Sequence, residues 1–221
     1  MTGKERQEMF WEYMPHPFLA QCLKGLFQAY EEAARHCKQF EESEELNLRP
    51  FYRRAIFERN FRAAARGFPD RVAAEAIRFE GKGFWFHTKI VAGRVGMTQC
   101  AAGEPEAVVR AANYRRYYAG SHNQIWLIPD ANPDADTDGK MLYALFTYGR
   151  SPETPARPGF AEVRFPSASL STDLPGTIDL FQEFPDIVEE MAVGTPWEFG
   201  EQSPDLTVEP ELLDDDREDV G

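Results

Sequence analysis

Apolar residues recur at intervals of three and four through the first part of the chain. Phe18, Cys22, Leu26, Tyr30 and Ala33, flanked by Leu19, Leu23, Phe27, Ala34 and Cys37, form one broad stripe. This spacing predicts a long amphipathic helix over residues 17–42. Before it, Thr2 and Glu5 stand at the spacing of a capping box, which predicts a short helix ending near Met14. Pro15 and Pro17 end that helix, and Pro17 suits the first turn of the next one. A third helix is expected from Pro50 to Arg66, stopped at Gly67.

After Gly67 the pattern changes to short runs of aromatic and β-branched residues. Residues 74–80 and 84–92 flank Gly81-Lys82-Gly83 and read as a hairpin, with 94–99 as a third strand. Pro105 to Tyr118 reads as a helix, 123–128, 140–148 and 159–165 as strands, and Thr177 to Met191 as a helix carrying Pro185. Helices first, then a meander interrupted by helices, predicts an α+β fold: N-terminal helices (1–67) packed on an antiparallel sheet (72–192) in one domain over 1–195. Residues 196–221 are expected to form a disordered acidic tail.

Composition agrees with a packed core. The hydrophobic fraction is 43% and the 221 residues include 17 Phe, more than a disordered chain carries. No apolar run approaches the ~20 residues that span a bilayer. The opening MTGKERQEMFWEYM lacks the apolar core of a signal peptide. Cys22, Cys37 and Cys100 are odd in number and fit neither a disulfide framework nor a zinc knuckle. The expectation is a cytoplasmic protein with buried thiols and no membrane partner.

Charge changes the picture more than composition does. The net charge of −13 hides a segregation: Glu201 to Gly221 holds nine acids and one base, whereas Arg49 to Arg71 holds seven arginines against Glu58 and Asp70. Arg59, Arg62 and Arg66 share one face of the third helix. A second basic-aromatic cluster contains Arg110, Tyr114, Arg115, Arg116, Tyr117, Tyr118 and His122. Arginine binds phosphate bidentately and tyrosine offers a base a stacking platform, so together they are what a nucleic-acid groove needs. The same arginines would equally serve as solvated, acid-paired helix surface. The acidic tail can compete with phosphate for such a face.

Other stretches carry fragments of chemistry. Asp134, Asp136, Asp138 and Gly139 are similar to the first half of the EF-hand calcium loop, where alternate carboxylates converge on the ion. The twelfth position falls on Leu145 and a strand enters the loop, so an Asp-Gly turn between strands accounts for the same letters. Pro69-Asp70 followed by Glu80-Gly81-Lys82 resembles the metal-dependent nuclease signature of the PD-(D/E)xK superfamily. That resemblance implies magnesium held by Asp70 and Glu80, with Lys82 near the attacking water. A second match is Pro129-Asp130 with Glu162-Val163-Arg164, where arginine replaces lysine. His87 and His122 are candidate general bases for RNA cleavage, or structural histidines at a sheet edge. Thr177-Ile178-Asp179-Leu180-Phe181 is similar to the peptide by which bacterial proteins bind the replication sliding clamp, with Thr177 in place of the opening glutamine. Ile178 and Phe181, with Phe184 and Ile187, read equally as the core face of a helix.

The preferred expectation is a macromolecule-binding protein that contacts nucleic acid or a nucleic-acid-processing complex, of the kind found among toxins and phage-defence components. Arg59, Arg62, Arg66, Arg115 and Arg116 would supply phosphate contacts, and Tyr114, Tyr117 and Tyr118 would stack. No resident cofactor is expected apart from magnesium or calcium at the two fragments above. The alternatives are a nuclease acting through Asp70, Glu80 and Lys82, and a protein–protein interaction module.

Overall fold

Thr2 starts the first helix as its spacing to Glu5 predicts. Its hydroxyl accepts from the Glu5 amide at 3.2 Å, and the Glu5 carboxylate accepts from the Thr2 amide at 2.6 Å. The computed structural model describes residues 1–78, 86–105, 107, 112–120, 141–167 and 169–192. Helix α1 spans Gly3–Tyr13, α2 spans His16–Cys37 and α3 spans Glu42–Arg66. The short connection folds α3 back along α2. Gly25 permits the close approach, since a Cβ there would stand 3.0 Å from Asn60 Cβ, and Asn60 Nδ2 donates to the Gly25 carbonyl at 2.8 Å.

Strands β1 (Ala73–Arg78), β2 (Phe86–Ala92), β3 (Val95–Ala101), β4 (Leu142–Arg150), β5 (Pro158–Pro166) and β6 (Asp173–Asp179) form one six-stranded sheet in sequence order. Helix α4 (Asn113–Tyr118) lies between β3 and β4, and α5 (Leu180–Glu183) and α6 (Pro185–Ala192) follow β6. Gly93 opens the two-residue turn between β2 and β3 at φ 52°, where a side chain would be strained and would strike the Tyr13 ring. Alternation along the strands sorts residues onto two faces. Ile90, Met97, Ala144, Phe146, Val163 and Phe165 meet Phe10, Phe18, Leu26, Phe57 and Phe61 of the helices in the main core. Tyr143, Leu145 and Cys100 face the other way, under Tyr118 and Ala119 and beside Leu170. Each fully buried Val, Leu, Ile, Phe or Met side chain among them contributes about 1.5–3 kcal/mol.

The α+β expectation holds, with four corrections. The third helix begins at Glu42, not Pro50: Glu42, Glu44 and Glu45 favour a helix N-terminus, and Pro50 withholds its donor only from the carbonyl of exposed Leu46. The sheet is not wholly antiparallel, because β3 and β4 run parallel from Val95↔Leu142 to Ala101↔Tyr148, which the long connection between them permits. Residues 105, 107 and 112 are not helical, so the helix expected over 105–118 is interrupted, and its described helical part is α4. Thr177–Asp179 end a strand, and Asp179 then caps α5 by accepting from the Phe181 and Gln182 amides at 2.8 and 3.3 Å. Pro185 opens α6 instead of sitting inside one long helix. The expected strand at 123–128 and the acidic tail at 196–221 lie outside the described residues.

β6 is the last strand of the sheet, and α1 lies against it. Arg6 Nη1 donates to the Pro175 carbonyl at 2.9 Å and Gln7 Nε2 to the Thr177 carbonyl at 3.1 Å. Gly3 and Gly176 make the contact possible: Gly176 has φ +116°, and a Cβ there would lie 2.6 Å from the Gly3 carbonyl oxygen.

Candidate functional site at the fork of β2 and β3

The register of β2 with β3 runs only from Ala92↔Val95 to Lys89↔Thr98. Beyond it β2 continues with β1 as far as Phe86, and β3 continues with β4. The ladder between them therefore ends before Thr88 and Gln99, and Glu58 of α3 bridges the two residues. One carboxylate oxygen accepts from the Thr88 amide at 3.0 Å and the other from Gln99 Nε2 at 2.7 Å. Gln99 Oε1 in turn accepts from the Tyr148 hydroxyl at 2.9 Å. Burial pushes the Tyr148 phenol well above its ordinary value, so it stays a donor.

The residues four positions to either side of Glu58 reach the same fork. Arg62 Nη1 donates to Thr88 Oγ1 at 2.9 Å, and Arg54 Nη2 lies 2.9 Å from His87 Nδ1. A guanidinium can only donate, so His87 Nδ1 carries the lone pair and the ring hydrogen sits on Nε2. Burial, then Arg54, then Arg115 of α4 hold the His87 imidazole down at about 4. His87 is neutral at pH 7. The neighbouring Cys100 thiol is raised by burial, against the opposing pull of Arg115, Arg54 and Arg164, so it is not a thiolate nucleophile. Three guanidiniums from α3, α4 and β5 thus act on one small region.

Arg164 fixes the ground beneath α4. It is 1% exposed, and its Nε donates to Glu162 at 2.8 Å while Nη1 donates to the Ala107 carbonyl at 2.9 Å and to Asp173 at 3.4 Å. Burial raises the Asp173 carboxyl, and Arg164 opposes the rise. Tyr118 anchors α4 itself, buried against Tyr143 at 5.5 Å with the Lys89 ammonium 4.8 Å from its ring centre.

The arginines predicted from sequence separate on this frame. Arg59 is bound to Glu32 at 2.8 and 3.4 Å, Arg62 is committed to Thr88, and Arg66 is exposed in the last turn of α3. Arg115 is half-buried; Arg116 is exposed beside Tyr117, which is 63% exposed. Tyr118 is packed, so its face is turned to Tyr143 rather than outward. Tyr114 lies on the first turn of α4. Arg54 was not singled out in the sequence, although Arg54, Glu58 and Arg62 at intervals of four are legible there as one mixed-charge stripe.

The other fragments are partly in view. Asp70 is exposed in the turn between α3 and β1, while Glu80, Lys82, His122, Asp130, Asp134, Asp136 and Asp138 lie outside the described residues. Glu162 and Arg164 are paired with each other on β5. Of the clamp-like peptide, Ile178 and Leu180 are buried and Phe181 stacks on Phe27 at 5.7 Å. Among the described residues no three His, Cys, Asp or Glu side chains gather as metal ligands, and no helix is long and apolar enough to cross a membrane. Comparison with protein-family models, curated proteins and solved structures gave no match, so the meaning of the fork rests on its own geometry.

Proposed function

We propose that this is a cytoplasmic protein that binds nucleic acid, or the nucleic-acid component of a processing complex, across the basic surface joining α3, β2 and α4. The support comes from His87: Arg54 Nη2 lies 2.9 Å from its Nδ1, and Arg115, distant in sequence, also depresses its titration, so charge from both basic segments reaches one imidazole. Exposed Arg116 and Tyr117 border the meeting point and supply one phosphate contact and one stacking face. Arg59 contributes less, because Glu32 already neutralises it.

Fluorescence anisotropy with labelled single-stranded DNA, single-stranded RNA and duplex, each over a salt series, tests the reading. Arg116→Ala with Tyr117→Ala is expected to weaken binding about 10- to 100-fold, from one stacking platform and one phosphate contact. Arg59→Ala is expected to change it less than about threefold, as for an exposed, already paired charge. Failure of the full chain to bind any of the three probes at low salt would overturn the proposal. Running the same probes with magnesium and with chelator separates binding from cleavage, which is the reading that Asp70, Glu80 and Lys82 would require.

A further inference from the structure

Three rows of core-facing residues run out at the same end of the interface between helices and sheet. On β4, Ala144, Phe146 and Tyr148 lie on the face toward the helices, and Arg150 is the next residue of that row. On α3, Phe61 and Phe57 pack on Phe146, and Arg53 stands one turn earlier in the same row. On α2, Leu26 is followed one turn later by Tyr30, which meets the Tyr148 ring edge-on at 6.4 Å. The core therefore ends in a phenol and two guanidiniums. Arg53 is half-buried and Arg150 exposed, so they form a rim over Tyr30.

Tyr30 is 1% exposed, and its hydroxyl has no hydrogen-bond partner among the described residues. A buried hydroxyl in that condition costs stability, and phenylalanine would fill the same space without the cost. The neighbouring Tyr148 hydroxyl is committed to Gln99. The Arg53 guanidinium carbon lies 4.4 Å from the centre of the Tyr30 ring, and a guanidinium stacked in this way keeps its N–H groups at its edges. Burial raises the Tyr30 phenol to about 12, against the opposing pull of Arg53 and then Arg150. Both charges thus reach the hydroxyl, which stays a donor at neutral pH. Among the described residues neither Arg53 nor Arg150 has a carboxylate partner, whereas Arg49, Arg59 and Arg164 do.

We propose that Tyr30, Arg53 and Arg150 bind a phosphate dianion, either inorganic phosphate or the terminal group of a phosphate monoester. Two guanidiniums without a carboxylate present two positive charges, which a dianion neutralises and a single carboxylate does not. Guanidinium forks match phosphoryl oxygens in bidentate geometry, and the Tyr30 hydroxyl supplies a third donor from the floor. Arg53 turns toward α2 and Arg54 toward β2. The site therefore uses none of the residues that carry the nucleic-acid reading, and either can fail without the other.

Calorimetric titration of the full chain with inorganic phosphate and with phenyl phosphate, at constant ionic strength, tests the site. Saturable binding is expected, and acetate is expected to give none. Tighter binding of phenyl phosphate would identify a monoester as the ligand, and tighter binding of inorganic phosphate the free ion. Tyr30→Phe is expected to weaken binding about fivefold or more, and Arg150→Gln about 10- to 100-fold, from loss of hydrogen bonds to a charged group. Tyr30→Phe should leave the thermal midpoint unchanged or higher, because the hydroxyl it removes has no partner in the free protein. Absence of binding at millimolar phosphate, equal binding of acetate, undiminished binding in either variant, or a lowered midpoint in Tyr30→Phe would each overturn the proposal. Loss of phosphate binding in Arg116→Ala/Tyr117→Ala would place the anion at α4 instead, and would overturn it too.

Discussion

Replacing Glu58 by alanine tests whether one carboxylate closes the fork. The side chain is 7% exposed and takes two hydrogen bonds, from the Thr88 amide and from Gln99 Nε2. The Thr88 amide has no ladder partner on β3, because the β2–β3 register stops at Lys89↔Thr98. Alanine leaves both donors without their acceptor, at about 1–3 kcal/mol each. Relief from burying a charge offsets part of this loss. The net expectation is a loss of about 2–5 kcal/mol for Glu58→Ala. Glu58→Gln keeps one acceptor oxygen and sets an amide donor against the other donor, so it should lose about 1–3 kcal/mol. Urea unfolding at pH 7 gives the midpoint and slope, and hydrogen exchange at the Thr88 amide reports the fork itself. Glu58→Ala should accelerate that amide more than it accelerates Ile90, which lies in the paired region. A loss under about 1 kcal/mol, the ordinary value for a surface site, would refute the reasoning.

Stability should also depend on His87. Its folded value of about 4 lies below the ordinary 6.5, so the unfolded chain binds more protons between those limits. Its contribution is fully present above pH 6.5, is lost as pH falls toward 4, and amounts to up to about 3 kcal/mol; chemical denaturation of the wild type and His87→Asn at pH 7 and pH 4.5 checks this, with the wild type losing more. Gly176→Ala should cost about 2–4 kcal/mol in thermal unfolding, from backbone strain at φ +116° and collision with the Gly3 carbonyl, and an unchanged midpoint would contradict the contact. Thr2→Ala should cost about 1 kcal/mol by loss of the cap on α1, read as a lower urea midpoint with an unaltered slope.

The helical layer was legible because its signals are local: the capping pair, the stripe through α2 and the two prolines act over a few residues. β6 was missed because its letters, DLPGTID, have neither strand alternation nor strand propensity. Its pairing with β5 and the donors from α1 hold it extended, and both come from residues remote in sequence. The parallel step between β3 and β4 likewise leaves no mark in either strand. At the fork, His87 and Arg115 stand out in the sequence as candidate site residues, but Arg54 and Glu58 do not, since a buried Glu between two arginines on a helix looks like an exposed charged face. Only the missing β2–β3 register shows what Glu58 faces.

The arrangement of α1 over β6 bears on how the chain could aggregate. A terminal strand ordinarily offers bare carbonyls to any extended peptide; here two of them already hold Arg6 and Gln7. Proteolysis or an engineered deletion before Gln7 would therefore do more than shorten the chain. It would uncap a growth point for intermolecular β-assembly, and fibrils or swapped dimers would be the symptom rather than simple unfolding.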